Sequence, residues 1–302
     1  MSNRKIGVIA DDFTGAGDAA SMLKKSGQRV FLYTAVPQKA PADFDAVVIA
    51  SKTRSVTPDQ AVFEIEQILD FFNKIGITTI YFKYCSTFDS TPKGNIGVIS
   101  DYLLETLDVP YTVLCPSFPE NGRTVMEGHL YVDGVPLDQS PLRNHPLNPM
   151  WSSSIRELMK PQSQYPCYTV NMDTINQETI EEWKKRSRHF YLIPNYQNDQ
   201  DAVKIANYFK DLPVLTGGSA LLEFILDRKN SKEEVRRIHS QNSVILCGSC
   251  STQTRIQIQY FKKNGGTLFP VSASQLSAQE MDVEKAGEFI LNAKVPVLLY
   301  SD

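Results

Sequence analysis

The chemistry-bearing residues cluster where short apolar runs give way to polar segments. The run Ile6–Ala10 ends in Asp11-Asp12-Phe13-Thr14-Gly15-Ala16-Gly17-Asp18, two adjacent carboxylates followed by a glycine-rich turn. A carboxylate there can bind sugar hydroxyls, take a proton from one, or hold Mg²⁺, and a following helix N-terminus favours an anion. The same pair also suits the acidic N-cap of an ordinary turn. The run Ala46–Ala50 ends in Ser51-Lys52-Thr53-Arg54-Ser55, where the planar fork of Arg54 matches a carboxylate. A third cluster runs from Phe82 to Gly97 and carries Lys83, Ser86, Thr87, Asp89, Ser90, Thr91, Lys93 and Asn95. Its density of donors suits a polyhydroxylated acid or a phosphate. A fourth, Cys115 to Thr124, includes Arg123. The fifth is Cys247-Gly248-Ser249-Cys250-Ser251-Thr252, a glycine-serine turn between a strand pattern and a helical one. Those are parts of a phosphate-binding turn, although the Gly-Lys-Ser/Thr of a Walker A loop is missing.

These clusters need elements that bring them together. Continuous apolar runs at Ile6–Ala10, Val30–Tyr33, Ala46–Ala50, Thr79–Lys83 and Tyr111–Cys115 predict strands buried on both faces, the pattern of a parallel sheet. Helical patterns alternate with them, as in Asp59–Phe72 behind Thr57-Pro58. Further strands are expected at Tyr168–Met172, Phe190–Pro194, Leu212–Thr216, Ser243–Cys247 and Val295–Tyr300, and an apolar helix from Gly217-Gly218-Ser219 to Leu226. Residues 116–161 lose periodicity and gain proline, glycine and asparagine, which predicts an irregular binding loop or lid. The charged segment Asp227–His239 is the expected domain boundary. The fold class is therefore α/β, with a substrate domain over 1–230 and a smaller α/β domain over 241–302. So small a second domain is marginal by itself, so it leans on the first or on another chain, and a homo-oligomer is among the assemblies allowed.

A net charge of −3 spread along 302 residues shows no basic stripe and argues against a nucleic-acid partner. The N-terminus lacks a signal-peptide core and no apolar stretch has transmembrane length, so a cytoplasmic protein without membrane contact is expected. Five irregularly spaced cysteines do not form a secreted disulfide framework. Cys247-x-x-Cys250 has no second ligand pair, so no metal site is expected of it. His129 and His145 have no metal spacing. A dinucleotide-binding enzyme is disfavoured because Asp11-Asp12 stands where the first glycine of G-x-G-x-x-G would be.

With these segments in view, the chain resembles the four-carbon acid sugar kinase family. The matching stretches are Ala10–Asp18, Phe82–Gly97, Cys115–Leu130, His145–Met150 and Gly248–Ser251, and the Cys85-to-Pro92 loop is similar to that of its 3-oxo-tetronate kinase branch. Gly15-Ala16-Gly17-Asp18 also looks like the ribokinase signature, but lies too early in the chain for that fold. The family resemblance implies ATP-dependent phosphorylation of the 4-hydroxyl of 3-oxo-tetronate, with Mg²⁺, a small-molecule sugar acid held by the N-terminal domain and ATP by the C-terminal one. It implies substrate contacts from Asp11, Arg54, Lys83, Ser86, Thr87, Ser90, Thr91, Asn95 and Arg123, and ATP contacts from Gly248, Ser249 and Ser251. Asp12 and Asp89 are the candidate catalytic carboxylates. The family's glycine-rich nucleotide segment would lie beyond the last matching residue, so the second domain is expected to be a truncated nucleotide-binding unit. The alternative is a sugar-acid-binding relic without turnover.

Overall fold

Apolar residues at every position of a five-residue run leave a strand no solvent face, and the sheet is built from such runs. The computed structural model describes residues 4–144, 149–229, 243–248, 252–272, 274, 282–293 and 295–301. By its contacts the chain divides into two units, residues 1–232 and 233–302.

In the first unit, β1 (Ile6–Ala10), β2 (Val30–Tyr33), β3 (Ala46–Ala50), β4 (Thr79–Lys83) and β5 (Tyr111–Cys115) match the expected runs. A small antiparallel sheet follows, formed by β6 (Arg123–Met126), β7 (His129–Val132) and β8 (Val135–Pro136). Then come β9 (Cys167–Val170), β10 (Phe190–Pro194) and β11 (Val214–Gly217). The helices are α1 (Phe13–Lys25), α2 (Pro58–Lys74), α3 (Ile96–Thr106), α4 (Ile155–Met159), α5 (Gln177–Arg186), α6 (Asp199–Phe209) and α7 (Leu222–Ile225). The large sheet is parallel throughout, in the order β2-β3-β1-β4-β11-β5-β10-β9.

Side chains alternate across this sheet and fill two cores. Ile9, Val47, Ile49, Ile80 and Phe82 pack with α2, α3 and α4 on one face. Ile6, Val8, Val48, Tyr81 and Leu215 pack with α1, α5, α6 and α7 on the other. Helix α2 starts on a full capping box, with Thr57 and Gln60 satisfying each other's backbone amides. The chain leaves β1 for β2 on the α1 face and passes from β3 to β4 on the α2 face. The carboxyl end of β1 is therefore a switch point, where ligands bind in open α/β sheets.

Two expectations change. Residues 116–161 are not an irregular lid, since β6, β7 and β8 form there and Val125, Leu130, Val132 and Leu137 join the first core. Two tight turns make this possible: Glu127-Gly128 and Asp133-Gly134 all have positive φ, between 50° and 78°, the geometry of two-residue hairpins. The helix expected from Gly217 to Leu226 is only the single turn α7. Gly217 instead ends β11, between Lys83 of β4 and Cys115 of β5. His145, inside one of the matching stretches, lies outside the described residues.

The second unit has a three-stranded parallel sheet, β12 (Val244–Cys247), β13 (Thr267–Val271) and β14 (Val297–Ser301), with β14 in the middle. Helices α8 (Thr252–Lys263) and α9 (Val283–Asn292) accompany it. Val271, Ala286, Val297 and Leu299 make its small core. No described helix is long and apolar enough to cross a membrane.

Candidate functional site

At the carboxyl edge of β3, β1 and β4, backbone bonds fix the first polar residues beyond each strand. Ser51 N–H donates to Ala10 O at 2.8 Å, Arg54 N–H to Asp11 O at 3.3 Å, and Asp11 N–H to Lys83 O at 3.0 Å. The Ser51 hydroxyl also donates to Ala10 O, at 2.7 Å. Three loops are thus held at one level, and Asp11, Arg54 and Lys83 follow from that arrangement.

Arg54 is the hub. Its Nε and Nη2 donate to Asp11 Oδ2 and Oδ1, both at 2.8 Å, a bidentate pair. Its Nη1 lies 2.8 Å from Asp12 Oδ2 and 3.7 Å from Asp89 Oδ2. The guanidinium therefore joins the β1, β3 and β4 loops through three carboxylates. Burial pushes the Asp11 carboxyl above its ordinary value, against the opposing pull of Arg54 and then of Lys83. Burial also opposes the charge on Arg54, but the Asp11 hydrogen bonds and charge outweigh it and hold the guanidinium above its ordinary value.

Asp12 has a second task. It is the N-cap of α1, and its Oδ1 accepts from Gly15 N–H. Lys83 is buried, 4% exposed. Its amine comes so close to Gly15 that a methyl carbon there would lie 3.0 Å from Nζ and 2.6 Å from Asp12 Oδ1. Glycine is the residue that lets this lysine reach the start of α1.

The 84–95 loop folds over the edge around Phe88. That residue has φ 51°, a left-handed conformation unusual for a bulky side chain. Its ring is fully buried and packs edge-on against Tyr84, 5.4 Å between centroids. Burying Phe88 leaves its neighbour Asp89 near Arg54. Several expected substrate residues of this loop have partners that brace it. Ser90 Oγ donates to Gln162 Oε1 at 3.1 Å, Lys93 N–H donates to Thr91 Oγ1 at 3.2 Å, and Thr87 Oγ1 lies 3.0 Å from Cys85 Sγ. Asn95 Nδ2 donates to Thr53 O at 2.6 Å and Val56 O at 2.8 Å, clamping the turn that carries Arg54. Among the described residues, Asn95 Oδ1 is buried without a partner. Ser86 is partly exposed.

Arg123 stands apart at the start of β6, where its guanidinium donates to Asn121 O and makes no bond to the Arg54 cluster. Gly248 directly follows β12, while Ser249 and Ser251 lie outside the described residues.

Two groups escaped the sequence reading. Gly217-Gly218-Ser219 shares the carboxyl edge with Lys83: Tyr84 N–H donates to Gly217 O at 3.0 Å, and the Ser219 hydroxyl donates to Asp18 on α1. The apolar stretch after Ser219 hid this by looking like a helix. Gln162 is the second. It sits seventy-odd residues along the chain from the loop it braces, and no local pattern marks it.

The sequence matches a family described as a sugar-binding N-terminal domain over residues 6–225, the span that contains the whole cluster. A 3-oxo-tetronate kinase from Pseudomonas savastanoi pv. phaseolicola is 36% identical over 312 residues, covering 98% of this chain and 72% of that protein. The chain belongs to the four-carbon acid sugar kinase family. A second relative in this kinase family, the 3-oxo-tetronate kinase of Escherichia coli K12, is 38% identical over 272 residues, covering 86% of this chain and 70% of that one. The fold agrees: a solved Salmonella typhimurium LT2 structure superposes with a TM-score of 0.79 at 32% identity, over 98% of this chain and 74% of that one.

Proposed function

We propose that this four-carbon acid sugar kinase phosphorylates the 4-hydroxyl of 3-oxo-tetronate at the expense of ATP, giving 3-oxo-tetronate 4-phosphate. The observation that carries the reading is the Asp11–Arg54–Asp12–Asp89 cluster, joined at the switch point of a sugar-binding domain. Two carboxylates beside a cationic hub can accept hydroxyl protons from a polyol while their own repulsion is compensated. Phosphoryl transfer asks mainly for positioning and charge neutralisation, and the three-loop lock on Arg54 supplies positioning.

Asp89 is assigned the general base here, because Asp12 has one oxygen on the α1 cap and the other on Arg54 at 2.8 Å. In this reading Asp89 takes the 4-hydroxyl proton as that oxygen attacks the terminal phosphorus of ATP and ADP leaves. The nucleotide falls to the second unit, where Gly248 directly follows β12; among the described residues a side chain at that position would meet nothing within 4 Å, which leaves the backbone open to approach. Mg²⁺, carried on the ATP phosphates, would neutralise their charge.

The test is an ADP-release assay on a panel of four-carbon acids, with the phosphorylated carbon located by NMR. Turnover on 3-oxo-tetronate with phosphate at carbon 4 supports the reading. Acid binding without ADP release would make the protein a sugar-acid binder instead.

A further inference from the structure

The acid cluster occupies the carboxyl edge of the large parallel sheet, and a separate cleft opens at the opposite edge, where β9 and β10 begin. Its volume of about 510 Å³ falls in the range of small-molecule pockets. Arg156 and Lys160 both line it, one helical turn apart, since Lys160 N–H donates to Arg156 O at 3.0 Å. Gln164, Tyr165, Cys167 and Tyr168 line it too.

Most surface cations are simply solvated or weakly paired, and two features set these apart. First, the polar lining is fixed in advance. The Ser163 hydroxyl donates to Asp101 Oδ1 at 2.6 Å and Gln164 N–H to Asp101 Oδ2 at 3.1 Å. Gln164 Nε2 and the Tyr165 hydroxyl donate to Glu105 Oε1, at 3.0 and 2.6 Å. Second, those bonds engage the carboxylates of α3, while the side chains of Arg156 and Lys160 have no hydrogen-bond or ion-pair partner among the described residues. Glu157 shares the rim and pairs with neither. Arg156 acts on the floor of the cleft, where its charge opposes the burial that pushes the Cys167 thiol up to about 12. A guanidinium fork and an ammonium one turn apart suit an anion with several oxygens better than one planar carboxylate. Tyr165 and Tyr168 offer an uncharged remainder their rings.

We propose that this cleft is a second ligand site, in which Arg156 and Lys160 bind the phosphate group of a small phosphate monoester. It is separate from the acid cluster and does not depend on the reaction assigned there. The fold also supplies its own reporter. Tyr168 of the cleft stacks on Trp183, with ring centroids 4.4 Å apart and planes 4° from parallel, and Trp151 is the other of the two tryptophans.

The experiment is a fluorescence titration of the full chain carrying Trp151→Phe, which leaves Trp183 as the one tryptophan, with ribose 5-phosphate, ribose and inorganic phosphate as probes. Ribose 5-phosphate should give a saturable change at about millimolar concentration or below, and ribose none. Adding Arg156→Gln and Lys160→Gln together should weaken that binding by about tenfold or more, with the melting temperature unchanged because both side chains are exposed. Lys160→Arg, which keeps the charge, should retain it. Inorganic phosphate that binds as tightly as ribose 5-phosphate would make free phosphate the ligand and overturn the monoester. No saturable signal with either probe, or the same affinity in the double glutamine variant, would overturn the site.

Discussion

Asp12 and Asp89 both reach Arg54, and Asp12 also caps α1, which sets distinct expectations for the two. Asp12→Asn keeps an amide able to cap α1, since asparagine ranks with aspartate at that position. It loses the ion pair with Arg54, so acid affinity should fall while turnover of bound substrate largely survives. Asp89→Asn should lower kcat by about 10²- to 10⁴-fold with KM nearly unchanged, the usual span for a general base. Steady-state kinetics of the two variants decides between them, and a larger kcat loss in Asp12→Asn would transfer the role. A second residue tests stability. Asp45 is 2% exposed and receives Arg29 N–H at 2.9 Å and Lys229 Nζ at 2.7 Å. Burial alone would raise its carboxyl, but the Arg29 and Lys229 hydrogen bonds hold it well below the usual carboxylate range. With the folded value below the unfolded one of about 3.9, ionised Asp45 stabilises the fold above that pH and ceases to as pH falls through the folded value. Asp45→Asn should therefore cost about 2 kcal/mol at pH 7, with the gap to wild type closing below about pH 4. Urea melts across pH measure it; a gap independent of pH would remove Asp45 from the account. Residue types and strand-end positions made Asp11, Arg54 and Lys83 legible in the sequence. Which of them pair was not, because that depends on distances between loops far apart in the chain, 43 residues for Arg54 and Asp11.

At the scale of elements, the 84–95 loop depends on α4 and the turn after it. Gln162 accepts from Ser90 Oγ at 3.1 Å and from Gly97 N–H at 3.3 Å, and donates to Leu158 O at 3.1 Å. Gln162→Leu would leave buried donors unsatisfied at about 1–3 kcal/mol each. The variant should melt earlier and bind acid more weakly, although Gln162 lies behind the loop. Differential scanning calorimetry and acid titration check both, and a lower melting point with wild-type acid affinity would show that the loop does not need this brace. The sheet was legible because strands buried on both faces are written as continuous apolar runs. The small β6–β8 sheet was hidden by the prolines and glycines around it. Its signal was nonetheless present in Asp133-Gly134, a dipeptide suited to a two-residue hairpin, between Tyr131-Val132 and Val135-Pro136. Boundaries at β9 and β11 moved by one or two residues because side-chain pattern does not mark where pairing stops.

At the scale of the molecule, both large cores belong to the first unit and the third to the second. The acid cluster, its Gln162 brace and the Ser219–Asp18 contact also lie within residues 1–232. That unit has the size of an independent domain and its own hydrophobic interior, the two conditions for folding alone. The proposed nucleotide half was less legible than the proposed acid half: a glycine-serine turn is common, and only Gly248 of the three expected contacts falls among the described residues. Separate expression turns this division of labour into a measurement. A chain ending at Lys232 should unfold in one cooperative transition and bind 3-oxo-tetronate within about threefold of the full chain, a difference of less than 1 kcal/mol. It should release no ADP, since the proposed nucleotide turn is gone. Full acid affinity without turnover in the short chain, beside turnover in the long one, would assign acid and nucleotide to different units. Loss of acid binding from a folded short chain would show that residues after 232 complete the acid site.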